Sequence, residues 1–295
     1  MAHEIVYFSY SMDASVDVPG QEDIFAVDPE SGAVRRLTDD SSGLEFVSDR
    51  DPRWSPDRTR VAIHRAVSDS APSVVVLDAV TGTTVAVVGE GVSPIWLDDE
   101  RLAFVAPHQP NLVLTSTLAG EMSTLLELPE GAFVAGMDWH PEQGLAFGFN
   151  DPGENPGMVG VVSAPMVDQA ITTQTPSGSD AVVLVGRIGA GTILPAWRPD
   201  GEALAVSVYN PATWSPDDTQ IGILDLAHRT YVPIPCPRDG LINVSATWSP
   251  DGGSVAFCRG DEDRWSEIWR YEVATGSLRQ VTDSEKARFI GSPDW

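Results

Sequence analysis

Tryptophan recurs along this 295-residue chain in one local setting, and that recurrence constrains the fold more than any other feature. The series runs Arg53-Trp54-Ser55-Pro56-Asp57, Ile95-Trp96-Leu97-Asp98-Asp99, Asp138-Trp139-His140-Pro141-Glu142, Ala196-Trp197-Arg198-Pro199-Asp200-Gly201, Thr247-Trp248-Ser249-Pro250-Asp251-Gly252 and Pro293-Asp294-Trp295. Successive tryptophans are 42, 43, 58, 51 and 47 residues apart. A fixed period of this size marks a chain built from one repeated supersecondary unit. Six or seven residues after each of the first five comes an apolar strand: Val61-Ala62-Ile63, Leu102-Ala103-Phe104, Leu145-Ala146-Phe147, Leu204-Ala205-Val206 and Val255-Ala256-Phe257. The Ser-Pro-Asp-Gly link between them suits a tight reversal, because proline presets φ and glycine accepts a conformation that other residues resist.

A third strand follows in several units, as in Ile24–Asp28, Val74–Asp78, Ile221–Asp225 and Ile268–Glu272, before turns such as Ser31-Gly32, Thr81-Gly82 and Thr275-Gly276. A fourth closes the unit, as in Val34–Thr38 and Leu278–Thr282. Four antiparallel strands in roughly 40–50 residues is the scale of one propeller blade. The expected fold is therefore all-β, a six-bladed β-propeller occupying 1–295 as a single domain. Five blades fall at about 43–92, 93–134, 135–190, 191–243 and 244–290, and residues 1–42 share the sixth with 287–295. In that sixth blade the strand missing after Trp295 is supplied by Ile5-Val6-Tyr7-Phe8-Ser9, so the N-terminal strand closes the ring. Closure of this kind removes the exposed edges that stacked sheets otherwise present.

The run Pro-x-Trp-Ser-Pro-Asp-Gly, then Ile-Ala-Phe, Asp-x-x-Thr-Gly and Leu-Thr resembles the TolB-like propeller repeat along essentially the whole chain. The serine is replaced by Leu97 and His140 in two units, and the fourth unit is lengthened by an irregular insertion. The resemblance implies a scaffold working through protein partners. It says little about chemistry, because one fold hosts many functions.

Composition narrows the partners. The chain carries 43 acidic and 18 basic residues, a formal charge of −25, and its only lysine is Lys286. A polyanion is repelled by such a surface, so nucleic acid is not an expected partner. No run reaches the roughly 18 apolar residues of a membrane span. The first residues lack a basic segment followed by a long apolar stretch, and the two cysteines, Cys236 and Cys258, are too few for a disulfide framework. The expectation is a cytoplasmic protein without membrane association.

If the Trp-Ser-Pro-Asp-Gly turns occupy one face, the links between second and third strands and between blades emerge on the other. The long segments 10–22, 39–52, 105–111, 149–157, 209–219 and 259–267 are assigned there, where binding usually resides. Candidate partner-binding residues on that face are Trp214 and Trp265, the arginines Arg50, Arg53, Arg65, Arg259 and Arg264, and His108 and Tyr209. Exposed indoles anchor sugars or peptides, and arginines recognise carboxylates or phosphates. Each has a plainer reading, the indoles folded onto their own blades and the arginines paired with Asp49, Asp51, Asp261 and Asp263.

No cofactor is expected. Calcium has slight support from Asp13, Asp17 and Asp261-Glu262-Asp263, which lack the ligand spacing of an EF-hand loop. No Gly-x-Ser-x-Gly elbow or phosphate loop occurs, and His64, His108 and His140 fall in places that do not converge on a metal. The leading functional reading is a non-catalytic binding or interaction scaffold that holds a protein, a peptide or a small ligand at the long-loop face. The alternatives are a lyase or hydrolase with its site at the mouth of the central channel, marked by convergent polar groups with shifted pKa values, and a small-molecule or sugar binder using Trp214 and Trp265.

Overall fold

A computed structural model describes the chain except for residues 1–2, 12–21, 40–45, 69, 152–154, 163–170, 173–181, 188–191, 210–218, 229, 238–239, 262–264 and 284–287. All regular structure among the described residues is β. The strands are β1 (Ile5–Ser11), β2 (Glu22–Val27) and β3 (Val34–Arg36), then β4 (Val47–Trp54), β5 (Arg60–Val67), β6 (Ser73–Asp78) and β7 (Thr84–Glu90). Next come β8 (Val92–Trp96), β9 (Arg101–Ala106), β10 (Gln109–Thr117) and β11 (Met122–Glu127), followed by β12 (Phe133–His140), β13 (Gly144–Asp151), β14 (Asn155–Val162), β15 (Ile171–Thr172) and β16 (Val182–Arg187). The remainder are β17 (Thr192–Trp197), β18 (Ala203–Tyr209), β19 (Gln220–Asp225) and β20 (Thr230–Pro233), then β21 (Ile242–Trp248), β22 (Ser254–Asp261), β23 (Trp265–Glu272), β24 (Ser277–Gln280) and β25 (Arg288–Asp294).

Antiparallel four-strand runs dominate. Sheets β12-β13-β14-β16, β17-β18-β19-β20 and β21-β22-β23-β24 stand alone, and β8 to β11 gain β15 as a parallel fifth strand through Leu126 and Ile171. The largest sheet, eight-stranded and open, joins β25-β1-β2-β3 to β4-β5-β6-β7 through a single parallel bridge between Glu22 and Ser48. The last strand pairs with the first, Phe8 opposite Gly291 and Tyr10 opposite Phe289. The first strands of the runs touch in order, β4 to β8, β8 to β12, β12 to β17, β17 to β21 and β21 to β25, and β25 returns to β4.

Sheets covered on both faces bury consecutive residues, so their strands read as continuous apolar runs. Val74, Val75, Val76 and Leu77 are all buried, as are Leu102 to Ala106. Neighbouring runs share cores: Ala62, Val74, Val76 and Val88 pack with Trp96, Leu102 and Phe104 of the next run. Trp197 packs with Ala146 of the preceding run in the same manner.

The repeat turn works as its sequence implies. Ser55 Oγ donates to Asp57 Oδ1 at 2.6 Å and accepts from the Arg60 N–H at 3.0 Å; Ser249, Asp251 and Ser254 repeat the arrangement. The fourth turn position is left-handed, with φ of +72° at Gly201, +68° at Gly252 and +58° at Arg58, which stands in the first copy of the motif. Three of the expected long loops are shorter than the sequence suggests. Strands β9 and β10 are separated only by Pro107 and His108, β13 reaches Asp151 with β14 starting at Asn155, and Asp261 pairs with Trp265. Polar residues there extend the ladders, because backbone pairing at a strand end does not need an apolar side chain.

Candidate functional site

The tryptophan column sets the geometry of the space enclosed by the first strands. Three residues before each tryptophan stand Asp51, Ser93, Gly136, Leu194, Ser245 and Ser292. Together these six line a narrow cavity of about 80 Å³. Asp51, Ser93, Ser245 and Ser292 have φ of +49°, +51°, +57° and +45°, a conformation rare for residues with a Cβ. The same strands carry register shifts, between Arg50 and Arg53, between Val92 and Ile95, between Val134 and Gly136, and between Val244 and Thr247. Bulges re-aim side chains, and here each turns one residue of its strand toward the axis. Strand β17 keeps an unbroken register and presents Leu194, whose Cδ2 would lie 2.6 Å from a Cβ added at Gly136. Glycine at 136 is what admits the leucine.

Asp51 is the polar centre of this waist. Its Oδ1 accepts from Ser292 Oγ at 2.8 Å and its Oδ2 from Ser93 Oγ at 3.2 Å, with His64 Nδ1 3.8 Å away. Burial alone would raise its pKa, but His64, the Ser292 hydroxyl and the Arg53 charge outweigh burial and lower it to about 2. Serine, histidine and aspartate meet here, and both hydroxyls donate to the carboxylate.

The position immediately before the tryptophan holds a second set of charges. Asp294 accepts from Arg53 Nη1 at 3.3 Å and from the Trp54 N–H at 2.8 Å. Asp138 accepts from the Trp197 N–H at 2.5 Å and from the Trp139 N–H at 2.9 Å. Each carboxylate thus ties its own strand to the tryptophan of the next first strand. Burial raises the Asp138 pKa to about 6, with Arg53 and the Trp197 N–H opposing and Asp294 reinforcing the rise. At the turn end the space opens to about 390 Å³, bordered by Trp54, Trp96 and Trp139.

The residues singled out from sequence are dispersed. Arg53 lies in the channel. Arg50, half exposed, pairs with the buried Glu22 and lies over the Phe8 ring, and Arg65 makes two 2.7 Å bonds to the fully buried Asp49. Arg259 is buried at 1% exposure, donating to Asn243 Oδ1 at 2.6 Å and to Pro237 O at 3.2 Å. His108 is exposed in its turn. Tyr209 ends β18 opposite Thr192, and Trp265 opens β23, with the side chains of both outside the described set. Trp214, Arg264, Asp13, Asp17, Glu262 and Asp263 lie outside the described residues. Among the described residues no group of three His, Cys, Asp or Glu side chains could hold a metal ion. The sequence reading passed over Asp138, Asp294, Ser93 and Ser292. Their signal was the alignment itself, read at one and three residues before each tryptophan.

No protein-family model matches the chain, and no curated protein matches it significantly. Solved structures supply the comparison, and they place the chain in an architectural class: an all-β fold of the propeller type. TolB from Acinetobacter baumannii superposes with a TM-score of 0.71 at 15% identity, covering 100% of this chain and 67% of that one. A puromycin-hydrolyzing peptidase of Mycobacterium tuberculosis matches at TM-score 0.58 and 15% identity, over 96% of this chain and 52% of the peptidase. Oligogalacturonate lyase from Vibrio parahaemolyticus matches at TM-score 0.55 and 13% identity, over 87% and 73%. At such identities the likeness shows the fold, TolB-like, and not the activity.

Proposed function

We propose that the chain is a non-catalytic, six-bladed binding propeller that docks a protein or peptide partner on the face opposite its Trp-Ser-Pro-Asp-Gly turns. The observation that carries this reading is the use of the channel carboxylates. Asp51, Asp138 and Asp294 direct their oxygens to serine hydroxyls, an arginine and backbone N–H groups of neighbouring strands. A waist of about 80 Å³ is also far below the roughly 300 Å³ at which small-molecule pockets begin. With the waist committed to structure, recognition of a partner falls to the faces. The six-blade count and the closure by β1 are supported by the cyclic contacts of the first strands and by the β1–β25 pairing.

On this reading His108, Arg50 and the connections that include Trp214 and Arg264 belong to the docking face, and the protein works in the cytoplasm. A photo-crosslinking residue placed at His108 should trap one partner in cells, while the same residue at Val80, on the opposite side, should not. Equal trapping from both positions would remove the assignment of the face.

Catalysis has one observation behind it. Asp138 with a pKa of about 6 and Asp51 with one of about 2 both feel the charge of Arg53, and such a separation of carboxyl pKa values is what acid–base chemistry uses. The neighbours include a lyase and a peptidase of similar fold. Turnover of a pectin fragment or a peptide substrate that disappears in Asp138→Asn, with the variant still folded, would replace the scaffold reading by this one.

A further inference from the structure

The turn end of the channel is a cavity of about 390 Å³ that the docking face does not use, and its lining has a chemical bias. Its walls include the indoles of Trp54, Trp96 and Trp139. Its charged lining is four aspartates, Asp98, Asp99, Asp138 and Asp294, against the single guanidinium of Arg53. Two of these carboxylates are matched by arginine, Asp294 by Arg53 and Asp98 by Arg101 at 2.7 Å. Asp138 takes two backbone N–H groups. Asp99 is exposed; its carboxylate accepts the Asp57 N–H at 3.1 Å and has no ion-pair partner among the described residues, while its backbone carbonyl accepts Arg60 Nη2 at 2.8 Å. An anion entering this mouth would meet the exposed carboxylate of Asp99 at its rim. A metal ion would find no three-ligand group among the described residues.

What suits aromatic walls with an acidic rim is an organic cation, stabilised by the ring faces and by the carboxylates together. The chain already uses this chemistry at the same rings. The Arg58 guanidinium lies 4.5 Å from the centroid of Trp54, and that of Arg60 lies 5.4 Å from Trp96. Trp139, half-buried, has no such cation among the described contacts.

We infer that this mouth is a binding site for an alkylammonium group, carried either by a free diamine or by the end of a lysine side chain. Asp99 supplies the carboxylate without an ion pair at the rim, and Trp139 the indole that carries no guanidinium. This site is independent of the partner-docking face, and either can fail without the other.

The test is a titration of the intact chain followed by the indole N–H resonances of its nine tryptophans, with Trp139, Trp54 and Trp96 assigned by single Trp→Phe variants. The probes are 1,5-diaminopentane, its neutral analogue 1,5-pentanediol, and Nα-acetyl-lysine methylamide. The expected result is a saturable shift of the Trp139 resonance with an amine and none with the diol. Asp99→Asn, an exposed substitution, should weaken binding roughly three- to fivefold, the scale of a solvent-exposed ion pair. Response to the lysine derivative alone identifies a side-chain ligand, and response to the diamine alone a free amine; both support the site. No saturable shift with either amine, an equal shift with the diol, or unchanged affinity in Asp99→Asn overturns it.

Discussion

Ser245 illustrates how much a single backbone conformation carries in this molecule. Its φ of +57° sets the bulge of β21 that separates Val244 from Thr247 in register. A β-branched side chain is strongly disfavoured there. Ser245→Val should destabilise the protein by about 2 kcal/mol, whereas Ser245→Gly should stay within about 0.5 kcal/mol of wild type, the relief of φ strain offsetting the added freedom of the unfolded chain. Urea denaturation of both variants checks this pair. Asp138 makes the complementary electrostatic case. Its folded pKa of about 6 lies above the unfolded value near 4, so the native state binds the proton more tightly. That carboxyl therefore adds stability as pH falls from 7 toward 5, and its ionisation costs stability as pH rises through 6. Asp51 has the opposite sign: held at about 2, it contributes stability above pH 4 that is lost as pH falls toward 2. Denaturation midpoints measured from pH 5 to 7.5 should rise toward acid in wild type by the equivalent of about 1–2 kcal/mol, and much less in Asp138→Asn.

Among the elements, the outer turns show how neighbouring runs of strands are held at one distance. Gly82, in the turn between β6 and β7, has φ of +70°, and a Cβ there would lie 1.8 Å from the backbone carbonyl oxygen of Leu37. Backbone cannot yield as a side-chain tip does. Gly82→Ala should cost more than about 2 kcal/mol, combining overpacking with an unfavourable φ, and a lowered thermal midpoint without loss of β signal would show it. Strand existence was legible at this scale, because apolar triplets such as Val61-Ala62-Ile63 and Leu204-Ala205-Val206 fall within β5 and β18. Strand ends were less legible. Residues 259–261 and 265–267 read as a polar loop, yet Arg259 pairs with Glu267 and Asp261 with Trp265. Hydrogen bonds of the backbone extended the hairpin where side-chain patterning had ceased to report on it.

At the scale of the whole molecule, the last strand pairs with the first. Strand β25 gives β1 a partner along its length, and Phe289 lies near the rings of both Phe8 (6.2 Å between centroids) and Tyr10 (5.4 Å). Asp294 adds the bond to Trp54 from the far end of the chain. Removing residues 288–295 would uncover β1 as an edge and leave Arg53 without its ion-pair partner. This truncation should destabilise the protein by at least about 3 kcal/mol, lowering the thermal midpoint by roughly 6–12 °C, and should promote aggregation through the bared strand. Scanning calorimetry with light scattering measures both effects.

The sequence by itself determined that the chain is all-β, that it repeats with its tryptophans, and where its tight turns fall, because those properties follow from local rules: apolar runs, turn chemistry and a fixed period. Tertiary structure alone decided what stands at the axis. Asp51, Asp138 and Asp294 are three of 43 acidic residues, set apart in sequence only by their places one or three residues before a tryptophan. They become special only when bulges and neighbouring strands bring residues distant in the chain within hydrogen-bonding distance, as in Asp138 with Trp197, 59 positions away, and Asp51 with Ser292, 241 positions away. Arg259, which reads as a rim cation, is buried by the same assembly. Burial and charge proximity are properties of the assembled sheets, and they set both the pKa of Asp138 and the role of each arginine.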